Sequence, residues 1–307
     1  MGWIRIELWR EKALVCNRGI RDYKIIIMKN FSKILFAALV TGMMVLSCSE
    51  PIKEYGELEP LDGSKAIVKV IIGSAYPNNP LMYVKANGRR ITPKILMRQP
   101  YPGGGYGTNG NATNEFILLD NGETTFELGL PKKVDDGTDS IIYHSKKYNL
   151  EAGGKYTVLF ADTGANTVST MIKEDLTIPD SATFRYQIIN MFPNVESVDL
   201  YVGRWASGTT APNHSSELDT LIASDIRFMQ VSEPFILRSG FRRTFKVRPH
   251  GAEVIESTVL ARYSSSATSS ANYFEYLDRK VLTIFTMGYD GQTTNAMMPY
   301  PSFSITR

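Results

Sequence analysis

The sequence predicts an all-β protein of two tandem antiparallel β-sandwiches, and three observations carry that prediction. Short apolar segments alternate with polar residues at period two, which puts one face of each segment in a core and the other outside. Sixteen tyrosines and fourteen phenylalanines are interleaved with 24 glycines and 15 prolines, a strand-and-turn composition with no long stretch of helical period. A block starting at Ala66 recurs without gaps at Ala182, and a chain of 307 residues has room for about two domains.

The N-terminal elements come first. Lys29 and Lys33 precede an apolar run, Ile34 to Leu46, that ends in Val45-Leu46-Ser47-Cys48. The run is of signal-peptide length, and too short for the ~20 residues of a membrane-spanning helix. The aliphatic and small residues ahead of Cys48 resemble a bacterial lipobox, which implies diacylation of the Cys48 thiol and cleavage just before it. Residues 28–47 then form a lipoprotein signal peptide and Cys48 is the lipid attachment site. Residues 1–27 lie outside this pattern. They read as a start placed too early, with Met28 the true initiator, or as an extended n-region. From Cys48 to Ser64 the chain is acidic and proline-punctuated, which predicts a tether.

Charge follows the same division. Residues 1–47 hold eight of the 34 basic residues and three of the 31 acidic ones, so the chain from Cys48 onward has 26 against 28 and a net charge of −2. The pI near 8.6 belongs to the leader, and nothing remains to suggest nucleic-acid binding.

The first sandwich is predicted over 65–178 and the second over 179–307. Ala66–Asn78 aligns with Ala182–Asn194, with Val68, Val70 and Ile72 matching Phe184, Tyr186 and Ile188 on the inner face. Lys69 and Arg185 point the other way. Each copy turns at aromatic-Pro-Asn and resumes a strand, Leu81–Val84 in one and Val198–Val202 in the other, aligned on Tyr83-Val84 and Tyr201-Val202 with a two-residue insertion. Thr125–Leu128 matches Thr244–Val247, and Lys155–Phe160 matches Lys280–Phe285, a pairing whose register can slip because both phases are apolar. A hinge is expected at Thr177–Ser181. One larger β-domain sharing a single core is the alternative.

The segments Pro193–Gly203, with Val198-Asp199-Leu200-Tyr201-Val202-Gly203, and Phe245–Gly251, with Phe-Lys-Val-Arg-Pro-His-Gly, resemble the domain-of-unknown-function 4397 family. Tyr76-Pro77-Asn78 and Tyr83-Val84 carry a fainter echo in the first copy. The resemblance implies immunoglobulin-like or transthyretin-like sandwiches, found in tandem in bacterial secreted proteins and Bacteroidota-like lipoproteins, and it brings no catalytic residues.

Chemistry is sparse. His144, His214 and His250 are the three histidines, none at metal-ligand spacing from another, and no Gly-x-Ser-x-Gly elbow or phosphate loop occurs. No catalytic residue, metal site or cofactor is expected. Asp135–Asp139 departs from calcium-loop spacing and reads as a turn. Arg238, Arg242, Arg243, Lys246 and Arg248 read as a solvated strand edge guarded by charge, or as a face for an anionic glycan. Tyr101 and Tyr106, in a Gly/Asn-rich loop, and Trp205 are candidate ligand contacts, because tyrosine and tryptophan stack on sugars and grip proteins. The expected protein is a lipid-anchored envelope protein of the outer membrane, facing the surface or the periplasm, without enzymatic activity. Its role is binding, adhesion or assembly, with a glycan-binding lipoprotein of a polysaccharide uptake system or a fimbrial-type subunit as alternatives.

Overall fold

β1 (Ala66–Ile72) is the strand around which the first repeat is organised, and its sequence explains why. Ala66, Val68, Val70 and Ile72 point inward, while Ile71 on the opposite phase is equally buried, so the strand is apolar on both faces. Such a strand belongs at the centre of a sheet covered on both sides. The computed structural model describes residues 63–96, 99–103, 115–134, 136, 138–204, 219–239, 243–264 and 279–306. All of these fall in one compact unit, Leu61–Arg307.

β1 pairs in parallel with β9 (Lys155–Ala161), which pairs with β10 (Val168–Lys173). On its other edge β1 meets β5 (Gln99–Tyr101) and β6 (Ile117–Leu119). The facing sheet consists of β2 (Leu81–Ala86), β7 (Gly122–Pro131) and β8 (Asp139–Leu150), with β3 (Arg89–Arg90) and β4 (Ile95–Leu96) on the outer edge of β2. Between the sheets lies a core that includes Val68, Val70, Val84, Phe126, Leu128, Val158 and Phe160.

The second repeat has the same plan. One sheet is β14 (Phe235–Arg238), β11 (Thr183–Ile189), β17 (Val281–Met287) and β18 (Tyr300–Ile305), again with a parallel pair, β11 on β17. The other is β13 (Thr220–Arg227), β12 (Ser197–Arg204), β15 (Arg243–Pro249) and β16 (Ala261–Ser264). Phe184, Tyr186, Ile188, Leu200, Phe245, Ile284 and Phe303 belong to its core. Both sandwiches are thus antiparallel apart from the one parallel pair in each.

The ladders correct two details of the repeat alignment. Val84 pairs with Leu128, and Leu200 pairs with Val247, so Met82, Val84 and Ala86 correspond to Val198, Leu200 and Val202 with no insertion. Likewise Val70 pairs with Val158 and Tyr186 with Leu282, so β9 and β17 are displaced by one residue from the expected match. All seven residues of β17 are buried, which leaves no phase for a sequence pattern to read.

A third apolar cluster lies where the two sandwiches meet. Ile71, Leu159, Ala161 and Ile172 from the first pack with Ile189, Met191, Phe285 and Met287 from the second. The two parallel-pair sheets therefore stand back to back. Lys69, expected to face outward, does so into this interface, fully buried, and donates to the Ile305 carbonyl at 3.0 Å. Burial, followed by the nearby Lys155, brings the Lys69 ammonium down to about 8. Lys155 donates to the Thr306 carbonyl at 2.6 Å. Glu174 accepts from Thr157 at 2.6 Å and from Gln187 at 3.2 Å, and burial raises its carboxyl above the ordinary range. Arg185 Nη1 reaches Asp175 at 2.6 Å. The segment expected to be a hinge is therefore pinned at its start.

Candidate binding groove

Asp199 explains the two motif segments. It lies on β12 between β13 and β15, and its carboxylate accepts from Ser224 Oγ (2.8 Å) and the Asp225 amide (2.9 Å) on one side. On the other it accepts from His250 Nδ1 (2.9 Å) and the Gly251 amide (3.1 Å) in the Pro-His-Gly turn. Burial would raise this carboxyl, but the four donors outweigh it and hold it below its usual range. The hydrogen bond to Asp199 raises the His250 imidazole in turn. Both Ser224 and Asp199 approach the same ring nitrogen, so this is a rivet between strands and not a relay for nucleophilic attack.

The other sequence candidates are placed as follows. Tyr101 pairs with Val70 and packs half-buried against the first core. Its counterpart in the second repeat is Phe235, opposite Tyr186, with ring centroids 5.7 Å apart. Tyr106, Trp205, His214 and Cys48 lie outside the described residues. His144 meets Ser169 Oγ at 2.8 Å, and burial lowers its imidazole. Asp136 accepts from the Thr138 amide at 2.9 Å, and Asp139 from Lys85 at 2.5 Å, so these carboxylates serve local structure. Among the described residues no three His, Cys, Asp or Glu side chains converge as metal ligands.

The basic group divides: Arg238 stands exposed on the edge strand β14, Arg242 lies outside the described residues, and Arg243, Lys246 and Arg248 belong to β15. β15 is a central strand, and Lys246 and Arg248 are fully buried on Asp219, at 3.1 and 2.7 Å. Arg248 also lies over the Tyr201 ring, 4.7 Å from its centroid. Asp219 arrives from a distant part of the sequence, which is why local pattern did not show this cluster.

What sequence reasoning missed is an open side to the second sandwich. The far side of each sandwich is closed. In the first, Ser169 on β10 accepts from Lys146 and bonds His144 and Tyr148 on β8. In the second, Tyr263 on β16 meets Phe303 on β18 edge-on at 4.8 Å. On the near side, among the described residues, β13 and β14 are both edge strands and belong to different sheets. Between them runs a groove with one cavity of about 430 Å3, lined by Val202, Thr220, Ile222, Ile236, Leu237, Arg238 and Arg243. A second of about 350 Å3 continues it past Ile222 to Asp225, Glu233 and Phe235. Ile236 stands exposed in its lining, at 53%. The groove is basic at the Arg238 end and acidic at the Asp225 and Glu233 end.

The two edges differ. β13 carries a bulge at Ala223–Asp225, with Asp225 at a φ of 51°, whereas β14 keeps an unbroken register on β11. Ser239 N–H donates to the Ala182 carbonyl, and strand alternation then turns the N–H and C=O of Ile236 away from β11 and into the groove.

No family model and no curated protein matches this chain. Solved structures do. The family 26 carbohydrate-binding module CBMbc of Eubacterium rectale Amy13K, solved with maltoheptaose, has 10% identity and a TM-score of 0.20 over 75% of this chain and 95% of its own. A Bacteroides uniformis protein assigned to cell adhesion has 9% identity and a TM-score of 0.23, over 81% and 100%. The fimbrial anchor protein Mfa2 of Porphyromonas gingivalis has 8% identity and a TM-score of 0.20, over 78% and 95%. The likeness is one of β-rich architecture alone.

Proposed function

We propose that this is a non-catalytic protein of the cell envelope, held to a membrane by lipid on Cys48, that binds a partner through the open side of its second sandwich. The observation that carries the reading is the groove between β13 and β14, where an apolar floor coincides with a strand edge that is unpaired among the described residues. Apolar surface of this kind is stabilised by covering it, at about 25 cal/mol per Å2, and an unpaired edge supplies backbone hydrogen bonds to whatever covers it. The described histidines are engaged with Ser169 and Asp199. Among the described residues no helix is long and apolar enough to cross a membrane.

A protein partner fits this surface better than a glycan. Among the described residues Phe235 is the aromatic one in the lining, and its ring is taken up by Tyr186. Tyr101, the described member of the proposed sugar platform, packs in a core position. The motif geometry around Asp199 supports the resemblance to the domain-of-unknown-function 4397 family, since its two signature segments meet there.

The test has two arms. Metabolic labelling with a fatty acid marks the chain and loses the label in Cys48→Ala; label retained in that variant refutes the anchor. The full chain is screened in parallel against a displayed peptide library and a glycan array, beside Ile222→Asp, which places a charge on the groove floor. Ligands lost in Ile222→Asp support the groove. Ligands that bind both proteins equally place recognition elsewhere.

A further inference from the structure

We propose that the groove takes an extended polypeptide strand that adds antiparallel to β14, with an acidic residue towards its N-terminal end and a basic residue towards its C-terminal end. The inference rests on the binding reading above and specifies the chemistry of the partner. β14 is the receiving edge because its register on β11 is regular, while the bulge and the positive φ of Asp225 spoil the β13 edge for continuous pairing. Ile236 presents both its N–H and its C=O to the groove, so the incoming residue opposite it forms the paired bonds of an antiparallel ladder.

That register dictates the side chains. The residues before and after the one opposite Ile236 face Leu237 and Phe235, over Ile222 and Val202, and must be apolar to fill the cavities. One position further towards the N-terminus lies opposite Arg238, whose carbonyl already accepts from Arg243, so the incoming residue there meets only the Arg238 N–H, and the two guanidinium groups call for a carboxylate. Pairing ends at Pro234, which has no N–H to give, and the next residue lies opposite Glu233 with Asp225 nearby, calling for a cation. The partner segment therefore reads acidic, apolar, any, apolar, any, basic, from its N-terminus. A strand entering in the opposite direction would bring like charges together at both ends.

The experiment uses fluorescence anisotropy with the full chain and two synthetic peptides flanked by glycine and serine. One alternates valine and threonine behind an N-terminal glutamate and ends in lysine; the other has the two charges exchanged. The first is expected to bind about ten-fold tighter than the second, as two cross-strand ion pairs become two repulsions. Arg238→Glu is expected to narrow or invert that ratio, with its thermal unfolding unchanged as the check on folding. Equal affinities, or the opposite preference, overturn the proposed direction while the groove reading stands, provided Ile222→Asp abolishes both. If library ligands require the groove but neither peptide binds, the strand chemistry is wrong. If nothing depends on Ile222, both readings fall. Light scattering that shows self-association lost in Arg238→Glu would name a second copy as occupant and overturn the partner assignment.

Discussion

Replacing Asp199 with alanine removes one carboxylate and uncouples three strands at once. All four donor residues are exposed; the Ser224 and His250 side chains can turn to water, so their loss counts for little, whereas the Asp225 and Gly251 amides are held in place by the strand and the turn. The amides of Asp225 and Gly251 are the costly ones, because hydrogen bonds to a charged acceptor contribute about 1.5–3 kcal/mol each. Partial rehydration brings the two together to about 3 kcal/mol. At about 2–4 °C per kcal/mol for a body of this size, Asp199→Ala lowers the midpoint of unfolding by about 6–12 °C. Asp199→Asn, which keeps an acceptor oxygen, falls between. Thermal unfolding by circular dichroism gives the total, and hydrogen exchange locates it. The reasoning is refuted if Asp199→Ala costs under about 1 kcal/mol, or if exchange at the Asp225 and Gly251 amides is unchanged.

Three further outcomes are expected. A Cβ on Gly73 would come within 2.2 Å of Met191 Cε across the repeat interface, so Gly73→Ala destabilises by about 1–3 kcal/mol in chemical denaturation, and Met191→Ala in the same chain recovers part of it. Lys69 is brought down from 10.5 to about 8, so between those values the folded protein binds fewer protons than the unfolded chain and stability rises with pH. The advantage of the parent over Lys69→Met should grow across that window by about 3 kcal/mol at most, in denaturant titrations at pH 8 and 10.5. The His250 imidazole titrates above its ordinary value, so its contribution is complete below about 6.5 and is lost as pH rises through the raised value. In Asp199→Asn the imidazole titration followed by NMR should move down; an unmoved titration refutes the pairing.

How much of this was legible follows from which contacts are local. The inner phases of β1 and β11, the turns after them and the strands β2, β12, β7 and β15 all follow from period-two patterns within short segments. The offset of β9 against β17 did not, because a strand buried on both faces has no polar phase to mark its register. Aligning Tyr83 with Tyr201 put a shared residue pair ahead of the inward phase, and the ladder restores Val84 to Leu200. Lys69, Lys246 and Arg248 looked solvated because what covers them comes from far along the chain. The groove was invisible for a related reason. An unpaired edge is a property of the assembled sheets, and β13 and β14 each read as ordinary strands.

The parallel pairing of β1 with β9 has a mechanical consequence. Tension applied ahead of β1 and opposed at β14 acts across both repeats. The chain enters the first parallel-pair sheet at Ile67 and leaves it at Lys173, both beside the Lys155–Tyr156 end of β9, so a load between those points meets the ladder at that end and not along its whole length. Resistance to such a load then falls to the cluster of Ile71, Leu159, Phe285 and Met287 that ties the two repeats together, and it is set by the unfolding rate under tension and not by equilibrium stability.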